Sequence, residues 1–205
     1  MKTLFFKKGI IFLATLFVAG ITLSCSNDEE WTKSEQLGYW YNDQFIELTC
    51  SSTNLFLVQA RATDNPISTK KVEKILKSLG AEEIHNSGAE YFFVTTKTRP
   101  SHPDLFVSQQ YKHASNSNGR DWLYICPQIS MRLNEGASVD DILNKYGKHL
   151  KVKEKVVSPS TSVLYTFDCD LSTSEDILKL AAAIHVEPSV KWCEPDKLSN
   201  LRHDY

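Results

Sequence analysis

The groups from which a catalytic or metal site is ordinarily built are present in this 205-residue chain, but their spacing does not assemble one. Its six histidines never fall in an HxxxH or HExxH pattern on an expected helix, the arrangement that puts two imidazoles on one face for zinc. His85 and His185 stand at the ends of expected elements, where capping or solvated roles suffice. No GxSxG elbow, GxxxxGK[ST] loop or GxGxxG turn occurs, so neither a serine nor a cysteine nucleophile has a visible partner and no phosphate cradle is encoded. The carboxylate pairs Asp140-Asp141 and Glu175-Asp176 lie in the first turns of expected helices, where attraction to the positive helix end accounts for them. Trp31, Trp40, Trp122 and Trp192 have the flat faces that stack on sugars, yet they are scattered over expected strands and a linker, which favours core packing. The sequence therefore assigns no catalytic residue, no metal ligand and no cofactor.

One thiol invites chemistry by its position. Lys2, Lys7 and Lys8 precede or flank an apolar run from Gly9 to Leu23, which polar Ser26, Asn27, Asp28, Glu29 and Glu30 end abruptly. That is the pattern of a cleaved export signal rather than of a spanning helix, which needs about 20 apolar residues. Small Ser24 directly before Cys25 resembles the lipobox of bacterial lipoproteins, in which the cysteine sulfur takes diacylglycerol and becomes the new N-terminus. Thr22 departs from the Leu usual in that box. The resemblance implies a signal peptide over 1–24, lipidation of Cys25, a polar tether over 25–38 and attachment to a membrane of the cell envelope. The Ser26–Glu30 segment is similar to tags that send some such proteins to the outer surface, which makes the outer membrane the expected location. The alternative is an ordinary secretory peptide with an incidental cysteine.

The chain carries 23 basic and 25 acidic side chains, and loss of the signal removes three of the lysines. The remainder is acidic and shows no basic patch interleaved with aromatics, so nucleic acid is not an expected partner. Cys50, Cys126, Cys169 and Cys193 form no CxxC pair and have no zinc-finger spacing. An exported compartment permits disulfides. Cys169 and Cys193, however, sit in apolar strand-like runs where a thiol packs as a small hydrophobe, so buried thiols are favoured over bridges and no pairing is assigned.

The elements that would position any site alternate between strand and helix patterns. Tyr39-Trp40-Tyr41 and Phe45–Leu48 flank Asn42-Asp43, a pair that tolerates positive φ and predicts a hairpin. Leu55–Ala60 reads as a strand, and Val72, Ile75, Leu76 and Leu79 form the stripe of a helix that Gly80 stops. Glu82–His85 and Tyr91–Thr95 predict a second hairpin. Ile129, Met131 and Leu133 alternate with polar residues as in a strand covered on one face. A helix with Val139, Ile142, Leu143 and Tyr146 follows, opened by Ser138 and Asp141 at capping-box spacing. Leu150–Lys155 and Val163–Cys169 are strands around a Ser158-Pro159-Ser160 turn. A helix opened by Ser172 and Glu175 buries Ile177, Leu180, Ala181 and Ile184, and Val190–Cys193 is the last strand.

Residues 128–195 thus spell strand, helix, strand, strand, helix, strand, which right-handed crossovers turn into an antiparallel sheet under two helices, a ferredoxin-like fold. Residues 55–126 repeat the first four elements, with Leu123–Cys126 as a closing strand and Pro100–Gly119 too polar to show a second helix. The expected class is α+β, with tandem ferredoxin-like βαββαβ units at 39–126, hairpin included, and 127–196, then a tail at 197–205.

Val190-Lys191-Trp192-Cys193-Glu194-Pro195-Asp196, with Leu133-Asn134-Glu135-Gly136-Ala137-Ser138 before a helix, resembles the prodomain of subtilisin-like proteases of the fervidolysin type over residues 128–196. Tyr39-Trp40-Tyr41-Asn42, with Ile46 and Leu48, is similar to the opening of surface lipoproteins built on such prodomains. The resemblance implies that the sheet packs on a protease and that the chain beyond Glu194-Pro195 enters its cleft. Lys197, Leu198, Ser199, Asn200, Leu201, Arg202, His203, Asp204 and Tyr205 would be that cleft-bound tail, acting in trans on a subtilisin-like protease as inhibitor or folding chaperone. Ser130, Arg132, Thr166, Asp168 and Lys191 make the sheet face polar, which argues for contact with the first unit or with water instead. A structural or adhesive surface protein that binds another envelope protein is the alternative. An acylphosphatase-type enzyme is disfavoured because Glu135 stands where an anion cradle would need an arginine.

Overall fold

Asn42 and Asp43 take φ of 48° and 59°. Two successive positive values make the turn whose twist matches its strands, and it closes β1 (Gly38–Tyr41) onto β2 (Gln44–Cys50). In the computed structural model, which describes residues 37–88, 90–115, 122–157 and 163–199, β3 (Leu55–Ala60) then leads into α1 (Thr69–Ser78). Ser68 Oγ accepts from the Lys71 N–H at 3.4 Å to start α1, and Gly80, at φ 79°, turns the chain away after it. β4 (Glu83–Asn86), β5 (Phe92–Thr95), β6 (Leu105–Gln109) and β7 (Tyr111–His113) follow. The second half runs β8 (Trp122–Leu133), α2 (Asp140–Tyr146), β9 (Leu150–Val157), β10 (Val163–Cys169), α3 (Ser174–His185) and β11 (Val190–Ser199).

The class is α+β, as expected. A four-stranded sheet has the order β4-β5-β3-β6, and a seven-stranded sheet has the order β1-β2-β7-β8-β10-β9 with β11 on the other edge of β8. Helices α2 and α3 cover the larger sheet, burying Ile142, Ile177, Leu180, Ala181 and Ile184 against Ile129, Met131, Phe167 and Cys193. Val139 packs against the same core. Helix α1 puts Val72 and Leu76 on Phe56, Val58, Phe92 and Val94 of the smaller sheet. The two layers meet through residues on opposite sides of single strands. Leu105 and Val107 of β6 face α1, while Phe106 between them enters the larger core. Leu57 and Phe93 pack on Tyr124 of β8, with Leu198 beside them.

Several expectations shift. The stretch Leu123–Cys126 does not close the smaller sheet; β6 does, and 122–133 is one strand. Within that strand stands Pro127, which cannot donate to a ladder. It lies where β8 changes partner from β7 (Tyr111↔Leu123) to β10 (Asp168↔Gln128) and where the β11 register slips between Pro195 and Lys197, so its missing N–H interrupts no regular pair. The opening hairpin, expected with the first unit, pairs through β7 into the larger sheet. Capping also moves. Thr173, one residue after Ser172, caps α3, accepting from the Asp176 N–H at 3.2 Å and donating to Asp176 Oδ2 at 2.6 Å. Ser138 makes a short turn with Asp140 rather than a box with Asp141.

The tail boundary changes most. Lys197, Leu198 and Ser199 are strand residues opposite Ile125, Tyr124 and Leu123, so they are not a free, cleft-seeking segment; hydrophobic Leu198 has an internal place to pack. The signal peptide, Cys25, Trp31, the Ser158-Pro159-Ser160 turn and Asn200, Leu201, Arg202, His203, Asp204 and Tyr205 lie outside the described residues. Ending the chain at Asp196 is expected to cost about 1–3 kcal/mol relative to ending it at Ser199, from the lost pairs and the uncovered Leu57–Phe93–Tyr124 cluster. Equal urea midpoints for the two truncations would contradict this.

Candidate functional site

The strongest convergence of ionisable groups is internal. Arg99, from the loop after β5, donates to both carboxylate oxygens of Glu175 in the first turn of α3, at 2.6 and 2.7 Å, and to the Val107 carbonyl at 3.1 Å. Gln109 donates to the same carboxylate at 2.8 Å, and Ser174 Oγ joins it to the buried Tyr111 hydroxyl at 2.7 Å. Burial would raise the Glu175 pKa, but the Arg99 hydrogen bonds and charge outweigh it and hold the carboxyl below its ordinary range. Burial and the charge of Glu175 together push the Tyr111 phenol well up. Gln109 also meets the exposed Cys50 thiol at 2.7 Å, whose pKa burial and then Glu175 raise, so it is not poised as a thiolate. This network pins the smaller sheet to α3. Glu175 therefore does more than answer the helix dipole.

A second feature is open to solvent. The Asn42-Asp43 turn, the end of α3 and the middle of β11 enclose a cleft of about 400 Å³ lined by Trp40, Tyr41, His185, Lys191, Trp192 and Glu194. Trp40 is fixed: the His185 ring stacks on it at 4.8 Å with 1° between planes, and the Phe45 ring meets it edge-on at 5.5 Å. Gly38 allows this, because a Cβ there would run into the Ile46 carbonyl and the Phe45 ring. His185 is itself held by the Cys193 N–H, which donates to Nδ1 at 3.3 Å. Tyr41, 54% exposed, extends the aromatic surface outward. Below it the Lys197 ammonium lies 3.9 Å from the Tyr39 ring centre and 3.5 Å from Glu194. Burial, followed by the charge of Glu194, raises the Tyr39 phenol, which bonds His113 Nε2 at 3.1 Å.

No family model, curated protein or solved structure matches this chain.

Among the residues expected from sequence to carry function, Glu194 lines this cleft and is ion-paired with Lys197. Pro195 is buried opposite Ile129 on an outer strand, where proline is tolerated, and Leu198 faces the inner cluster. The sequence scattered the tryptophans; the fold brings Trp40 and Trp192 into one cleft and leaves Trp122 on β8 outside its lining. The readable signal was Tyr39-Trp40-Tyr41 directly before a turn pair, since a hairpin presents alternate side chains at its tip. His185, expected as a cap or a solvated residue, is a wall of the site. The four cysteines from Cys50 onward are free thiols, with Cys126, Cys169 and Cys193 buried. Among the described residues no three His, Cys, Asp or Glu side chains gather to hold a metal.

A further cleft of about 400 Å³ separates α1 from the larger sheet near Arg61, Gln128, Lys151, Lys153 and Asp168. Its basic side chains are paired within the protein: Arg61 to Asp170 at 2.7 Å, Lys151 to Asp64 at 3.3 Å and Lys153 to Asp168 at 3.6 Å. The aromatic cleft is the better candidate for recognition.

Proposed function

We propose that this chain is a lipid-anchored, non-catalytic binding module of the cell envelope whose recognition surface is the Trp40–Trp192 cleft. The observation that carries the reading is the convergence of three separate elements on an open aromatic cleft with a pre-set indole. Its support is also chemical. Glu175, whose carboxyl is held below its ordinary range, is committed to the internal pin, whereas the cleft holds groups suited to contact: two indoles, an exposed phenol, two carboxylates, an amide and an ammonium. The scaffold in this proposal is a pair of ferredoxin-like units. Supporting it, β11-β8-β10-β9 and β6-β3-β5-β4 are the same strand order by rank along the chain, with α2 and α3 in the first set, α1 in the second and no helix between β5 and β6.

The second reading is the trans-acting subtilase prodomain. It is favoured by Glu194-Pro195 on the closing strand of that first set. Against it, part of the sheet face that would meet the protease is occupied by the smaller sheet, Phe93 lying 5.6 Å from Tyr124 between ring centres.

The test joins anchor and cleft. The chain expressed in a diderm host is expected to incorporate an alkyne-tagged fatty acid and to sediment with membranes, and Cys25→Ala to lose both. Immobilised full chain in detergent is expected to retain an envelope component that the Trp192→Ala variant retains at least about fivefold less, equivalent to about 1 kcal/mol. Equal retention by both would sink the cleft as the recognition surface. Slowed turnover of a subtilisin-like protease, unchanged in Trp192→Ala, would favour the prodomain reading instead.

A further inference from the structure

We infer that the Trp40–Trp192 cleft takes a neutral saccharide, most fittingly a stretch of a longer glycan; this rests on the cleft being the recognition surface. Charge narrows the ligand class first. An anion entering the cleft would meet Glu194 and Asp43, and a cation would meet Lys191. Cation–aromatic contacts beside the cleft are already made by the chain's own Lys197, 3.9 Å from the Tyr39 ring centre and 5.8 Å from that of Tyr41. A ligand without charge is opposed by none of these groups.

Shape and hydrogen bonding narrow it further. A pyranose has a C–H face that lies flat on an aromatic ring and a rim of hydroxyls, each both donor and acceptor. The cleft offers the complement: indoles for the face, with Glu194 and Asp43 to accept, Lys191 to donate and Asn42 to do either. A purely apolar ligand would leave these polar groups without partners. His185 covers one face of Trp40 and Phe45 meets it edge-on, so a sugar has the opposite face to stack on and finds the indole already held in place, which is where preorganised sites gain affinity. Tyr41, also in the lining and 54% exposed, adds a further aromatic surface, which suits a second sugar ring on the same chain.

The experiment uses the full chain in detergent against an array of neutral oligosaccharides, α- and β-linked, alongside acidic and basic oligosaccharides and a proline-rich peptide. Hits are followed by tryptophan fluorescence and calorimetry. At least one neutral oligosaccharide is expected to bind, with affinity unmoved by added salt and lowered about tenfold or more by Tyr41→Ala and by Trp192→Ala. Tyr41 is exposed, so its variant reads the site even if Trp192→Ala unfolds the chain; circular dichroism reports the fold of both. Preference for a charged oligosaccharide with steep salt dependence overturns the inference. So does neutral-sugar binding indifferent to Tyr41→Ala. Trp192-dependent binding of a protein or of the peptide, with no glycan bound, overturns the saccharide while leaving the binding-module reading intact. Absence of any cleft-dependent ligand removes both.

Discussion

Phe106→Ala is expected to lower stability by about 3–5 kcal/mol, the range for emptying a fully buried aromatic site, and to do so for both sheets at once. Phe106 is 0% exposed and belongs to β6 of the smaller sheet, yet its ring sits in the core of the larger one with Tyr111, Ile177 and Leu178. Its neighbours Leu105 and Val107 point the other way, under α1. One strand thus closes two cores, and a hole in either loosens the other. Urea unfolding followed by far-ultraviolet circular dichroism and by tryptophan fluorescence is expected to give coincident transitions, displaced to lower urea in the variant. The melting temperature is expected to fall by roughly 10 °C. Two separated transitions, or a loss confined to one probe, would show that the sheets fold independently.

Glu175→Ala is expected to cost about 2–4 kcal/mol. Removing one member of a half-buried ion pair strands the other, and here it also takes the acceptor from Gln109. Side chains of Arg99 and Glu175 remain 33% and 21% exposed, which keeps the figure below that of a fully enclosed pair. Glu175→Gln preserves shape and one acceptor and is expected to lose about half as much. The carboxyl is held below its ordinary value of 4.5 in the folded chain. Its contribution is therefore complete above that value and disappears as pH falls through the lower, folded one. The stability gap between the native chain and Glu175→Gln should be constant near neutrality and narrow steadily in acid. A gap that widened in acid would reverse the assigned direction.

Periodicity carried much of the architecture. The α1 stripe through Val72, Ile75 and Leu76 with its stop at Gly80, though not its last member Leu79, which is exposed, the Asn42-Asp43 turn, and the buried set Ile177, Leu180, Ala181 and Ile184 were legible because local hydrogen bonding and one-sided burial leave a direct imprint on residue order. Strand partnership leaves less. Leu105–Ser108 is buried on both faces, so it lacks the alternation that marks a half-covered strand, and its polar surroundings hid it. Whether a proline such as Pro127 interrupts a strand is not written in sequence, because it costs a ladder bond only where a partner needs its N–H, and that depends on the fold. Leu198 looked like the start of a tail because its contact, Tyr124, lies far away in sequence. The cleft was obscured for the same reason: Trp40 and Trp192 are brought together by α3 and the hairpin, and no spacing rule links them.

The outer strand β9 carries a final implication. It ends the order of the larger sheet, exposes Val152, Val156 and Val157, and carries Lys151, Lys153 and Lys155 with Glu154 among them. Its register with β10 also slips between Thr166 and Phe167. An unprotected rim of this length would template the stacking of neighbouring copies, most of all where molecules are crowded on a surface. Charged side chains along the rim and an uneven backbone disfavour such edge-to-edge pairing of copies.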